Sequence, residues 1–155
     1  MSETLPGAVI AKPWHGRPVA LWLLIALVVT LGLRGLLGGT VLVLDPSGGS
    51  IGLTPAVLRG TPLRDVTLPG SILLTVFGAA PLVTAQRLWR GAPSGRLVAT
   101  AIGLGLVAWV IVEAFVLGFG QRLQIPNVLT GLAVALLARS SPVRSHVDEG
   151  GDSER

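Results

Sequence analysis

The chain has 155 residues, half of them hydrophobic, 13% charged, with a mean hydropathy of +0.72 and a formal net charge of +4. So apolar and charge-poor a composition excludes an ordinary soluble domain and points to a membrane protein. The basic residues are scattered between hydrophobic runs with no aromatic-interleaved basic stripe, which argues against nucleic acid as a partner. The chain contains no cysteine, so disulfides, thiolate nucleophiles and iron–sulfur clusters are excluded. Both histidines, His15 and His146, lie outside the apolar runs, which excludes a haem held by paired imidazoles within the membrane, and no cofactor is expected.

Residues 1–18 read as a short polar segment on the cytoplasmic side. Lys12 and Arg17 precede an apolar run starting at Val19, as in a signal peptide, but the run is too long for one and lacks a small-residue cleavage site. It is read as an uncleaved first span over 19–38, with Gly38 and Gly39 as its stop and residues 40–44 as a short extended piece.

The stretch from Thr40 to Leu68 is expected to be a structured outer loop between helices 1 and 2. Asp45-Pro46-Ser47-Gly48-Gly49 is a turn sequence, and Thr54-Pro55 and Thr61-Pro62 each place a hydroxyl before a proline, predicting a short helix over Pro55 to Arg59. Asp45, Ser47, Arg64 and Asp65 are its candidate functional residues. Two aspartates without dense acidic spacing are a poor calcium signal, so turn or capping roles are favoured and no metal is expected.

A second span is predicted over 69–88, kinked by Pro81, followed by a basic loop holding Arg87, Arg90 and Arg96. The third span, 97–119, is apolar almost throughout and carries one acid, Glu113; an ionisable residue inside a span is a functional-site hypothesis with a partner to be named. A fourth span is predicted over 123–138, and 139–155 reads as a disordered cytoplasmic tail. The expected architecture is an all-α, four-helix transmembrane bundle. Lys12, Arg17, Arg87, Arg90, Arg96, Arg139 and Arg144 on one side, against Arg34, Arg59, Arg64 and Arg122 on the other, predict a multi-pass plasma-membrane protein with both termini cytoplasmic.

In this frame Arg34 lies about 7 Å before Gly39 and Glu113 about 9 Å before Phe119, at matching depth. The expected site is a polar outer-leaflet pocket centred on an Arg34–Glu113 pair and lined by Thr30, Ser71, Thr75, Trp109, Gln124 and Asn127. The plainer reading makes Arg34 a snorkelling interface residue and Glu113 an interhelical clasp. Gly35 with Gly39, and Gly131 with Ala135, have the small-residue spacing of close helix packing.

Asp45-Pro46-Ser47-Gly48, Ile51-Gly52, Gly60-Thr61-Pro62-Leu63-Arg64-Asp65 and Pro69-Gly70, with Trp109, Glu113 and Gln124, resemble a group of small bacterial four-span membrane proteins of unassigned activity. The resemblance covers roughly residues 19 to 138 and implies that the outer loop and the Glu113 level form one site. It supplies no substrate. Three classes of function follow: non-catalytic binding of a lipid, amphiphile or partner helix; a small proton-coupled transporter using Glu113; or a lipid-modifying enzyme. Binding is preferred, because one carboxylate and one arginine orient a ligand more readily than they run a reaction, and because the inner half lacks the polar path a carrier needs. The sequence encodes no oligomeric state.

Overall fold

The computed structural model describes residues 16–52, 59–60, 63–119 and 122–151. The helices are α1 (Val19–Leu44), α2 (Thr67–Trp89), α3 (Pro93–Leu117), α4 (Gln124–Arg139) and α5 (Ser141–Gly151). α1 packs on α2 and α4, and α3 also packs on α2 and α4, so α1 and α3 face each other diagonally across the bundle.

Among the described residues three helices, α1, α2 and α3, are long and apolar enough to cross a membrane. The expected four-span bundle is therefore corrected: α4 has 16 residues and rises about 24 Å, short of the roughly 30 Å of a hydrocarbon core. The outside of the bundle is correspondingly greasy, with Leu37, Phe115, Ile125 and Leu136 all exposed. Such a surface suits lipid and would be an aggregation hazard in water.

α1 does not stop at Gly38 and Gly39. It runs 26 residues to Leu44, and the segment expected to be extended is its last turn. Gly39 is buried in the interface with α2, where a Cβ would come within 2.5 Å of the Leu74 amide nitrogen. Its missing side chain serves close approach and not a helix exit. The exit comes at Asp45, φ −124° and ψ 84°, outside the helical region that the following proline disfavours.

α2 contains a π-helical turn over Thr75–Ala79, ending two residues before Pro81. Proline has no N–H for the carbonyl one turn back, that of Phe77, and a local π adjustment is one way a span absorbs the loss. That carbonyl presses on α1 at Gly35, where a Cβ would overlap it.

The core has two layers. At one end Leu21, Leu24 and Leu88 pack with Val134, Val143 and Val147; nearer the other, Leu31, Phe77, Ile102 and Leu106 form a second cluster. The first layer draws in α5, which covers residues expected to be disordered. Val143 and Val147, four apart on one face of α5, are fully buried against the bundle and supply the apolar stripe that a free tail lacks. This basic end also gathers Arg17, Arg87, Arg90, Arg96, Arg139 and Arg144. Arg17 donates to the Trp89 carbonyl at 2.8 Å and lies 5.2 Å from the Trp89 ring, which meets Trp22 edge-on. An arginine capped by paired tryptophans is a typical membrane-interface anchor. Trp14 and His15 lie outside the described residues.

Candidate functional site

Lengthening α1 moves Arg34 relative to the membrane. Ten residues of helix follow it, placing it about 15 Å below the loop end of α1, whereas Glu113 lies about 6 Å from the end of α3. The two are not level, because the depth inferred from Gly39 used the wrong helix end.

Nor do they meet. Arg34 is exposed, and its Nη2 donates to the Asn127 Oδ1 at 3.1 Å, across to α4. Glu113 is half-buried and has neither ion pair nor hydrogen bond among the described residues. Topology supplies the reason: α1 and α3 are diagonal, while α4 lies beside α1. Glu113 follows Trp109 by four residues and shares its face; Trp109 packs on Phe77 of α2, ring centroids 5.9 Å apart. Glu113 is thus turned to the α2 flank, and Arg34 to the α4 flank.

The other expected pocket residues are largely satisfied on their own helices. Ser71 donates to the Thr67 carbonyl and Thr75 to the Ser71 carbonyl, both at 2.8 Å. This back-bonding is how a hydroxyl lives in hydrocarbon without a distant partner, and it removes both groups from any shared site. Thr30 is exposed on α1. Gln124 is buried, its Nε2 donating to the Gly118 carbonyl at 2.9 Å, and so closes the turn between α3 and α4. Of the eight expected pocket residues, the structure joins Arg34 to Asn127.

The loop residues form a separate, local device. Asp45 accepts from the Ser47 hydroxyl at 2.5 Å and amide at 3.2 Å through one carboxylate oxygen, and from the Ser50 hydroxyl at 2.6 Å and amide at 2.7 Å through the other. These donors hold its carboxyl well below the usual carboxylate range, the Ser47 hydroxyl contributing most. Asp65 accepts from the Thr67 amide at 2.9 Å, satisfying a free donor at the start of α2. Arg64 is exposed. The Val66 amide donates to the Pro46 carbonyl at 3.1 Å and ties the start of α2 to the exit of α1. The expected helix from Pro55, with Thr54 and the Thr61-Pro62 pair, lies outside the described residues.

One feature escaped sequence reasoning. A groove of about 550 Å³ lies between α3 and α4 at the loop end, lined by Val110, Ala114, Phe115, Phe119, Ile125 and Leu129, with Gln124 and Arg122 at its margin. α3 and α4 touch closely lower down, where a Cβ on Gly103 would come within 2.5 Å of the Gly131 carbonyl oxygen. Above that contact the side chains of both helices line the groove. The glycine spacing was visible in the sequence; which residues stood opposite was not.

The class of protein defined by these observations is an α-helical, multi-span membrane protein with an apolar crevice at one end and isolated charges in its spans. Compared with known proteins, the chain matches no family model, no curated protein and no solved structure.

Proposed function

We propose that this is a non-catalytic plasma-membrane protein that takes the hydrocarbon chain of a lipid or other amphiphile into the groove between α3 and α4. The observation that carries the reading is the lining: Val110, Phe115, Phe119, Ile125 and Leu129, all large or branched and apolar, around the small Ala114, with Arg122, exposed, at the turn beside them. An apolar crevice with one cation at its rim suits an acyl chain whose headgroup carries negative charge. The basic end, with Arg17, Arg87, Arg90, Arg96, Arg139 and Arg144, then faces the cytoplasm, and the groove opens in the outer half of the bilayer. Carrier function would draw on Glu113, but the leucine and valine layer around Leu21, Leu24, Leu88 and Val134 weighs against a polar path to the basic end.

Native mass spectrometry of the protein released from nanodiscs containing equal phosphatidylglycerol and phosphatidylcholine tests this. Retention of phosphatidylglycerol is expected, reduced by Ala114→Trp, which fills the groove, and made unselective by Arg122→Gln. Retention equal across wild type and both variants overturns the reading.

A further inference from the structure

Arg34 is exposed at about 15 Å from the loop end of a 26-residue helix, and its hydrogen bond to Asn127 brings an amide but no opposite charge. A cation facing hydrocarbon at this depth is costly, and such residues normally meet a charged partner or protein interior. The chain carries one acid within its spans that has the complementary need. Glu113 lies one helical turn beyond Trp109, half-buried, without a hydrogen bond or ion pair among the described residues.

Packing sets their relative depth. Gly35, next to Arg34, abuts the Phe77 carbonyl, and the Phe77 ring meets Trp109; the Arg34 level is therefore close to the Trp109 level, with Glu113 about one turn, or about 5 Å, nearer the loop end. An extended guanidinium spans that offset. Arg34 sits on the flank shared by α1 and α4, and Glu113 on the flank shared by α2 and α3. Within one copy the bundle separates them. Between two copies standing side by side in the same orientation, the Arg34 flank of one faces the Glu113 flank of the next.

We propose that the protein associates with itself in the membrane through a head-to-tail contact in which Arg34 of one copy pairs with Glu113 of another. The contact joins different surfaces, so it leaves one Arg34 flank and one Glu113 flank open on any dimer and builds rings or chains. The desolvated pair is what makes the contact specific in a surface otherwise as apolar as lipid.

The test is native mass spectrometry of the full chain in nanodiscs, with lipid cross-checked by amine-independent photo-crosslinking, on wild type, Arg34→Gln and Glu113→Gln. Wild type is expected as dimers and larger species, and each variant alone as monomer with an unchanged helical circular-dichroism spectrum. An equimolar mixture of the two variants retains one complete pair, Glu113 from the first and Arg34 from the second, and is expected to give one-to-one heterodimers and nothing larger. A single chain carrying Arg34→Glu with Glu113→Arg is expected to recover the wild-type assemblies. Monomeric wild type, assemblies unaltered in either single variant, or a mixture that stays monomeric overturns the proposal.

Discussion

Asp45 leaves the helical region and spends both carboxylate oxygens on the turn that follows, so a single residue ends one helix and shapes the start of the loop. Its folded-state pKa is depressed, which means the ionised form is the one the turn favours. The turn's contribution is complete above the ordinary aspartate value of about 4 and is lost as the pH falls through the lower folded value. Amide hydrogen exchange at Ser50 should therefore stay slow from neutral pH down through pH 4, after allowance for the intrinsic rate, and become fast at all pH values in Asp45→Ala. An Asp45→Ala protein with unchanged Ser50 protection would show that the backbone alone holds the turn. Arg34 shows the opposite situation, a charge whose surroundings were misjudged because its depth depended on a helix end that lies ten residues, about 15 Å, beyond it.

At the scale of elements, the joint between α1 and α2 depends on what is missing from it. Lipid offers apolar surface as readily as another helix does, so helices in a membrane hold together by close fit, and small residues supply it. Gly35 meets a backbone carbonyl of α2, which cannot turn aside as a flexible side chain would. Gly35→Ala should thus cost about 1–3 kcal/mol, the range for overpacking a tight interface. Unfolding in mixed micelles measures it; the same substitution at Gly105, where nothing lies within 4 Å, serves as control and should be near neutral. An equal cost at both positions would refute the packing argument, since without a clash alanine favours the helix over glycine.

For the whole molecule, α4 brings the chain back to the end at which α1 begins, and α5 lies against that end through Val143 and Val147. The turn at Ser50 and the start of α3 at Ser94 then lie at opposite ends of the bundle. With no native cysteine, this is checked by labelling Ser50→Cys and Ser94→Cys with an impermeant maleimide in whole cells. Ser50→Cys should label in intact cells and Ser94→Cys only after permeabilisation, as the basic end is proposed to be cytoplasmic. The reverse pattern would invert the protein in the membrane and move the groove to the inner leaflet.

Composition and hydropathy alone determined that this is a helical membrane protein, because length and apolarity are properties of a segment taken by itself. The apolar runs of the three long helices, the turn at Asp45 and the Gly35 and Gly39 spacing were legible for the same reason, each depending on neighbours in sequence; the same apolarity made the shorter α4 read as a fourth span. Tertiary structure decided the rest. Gly39 reads as a stop until α2 is seen against it, and residues 141–151 read as a tail until a surface exists for Val143 and Val147 to cover. Arg34 and Glu113 look like partners on a line of text, but which helices stand beside each other and which stand across a diagonal is settled only when all of them pack. Two charges in separate helices meet or miss according to that arrangement, which no single segment encodes.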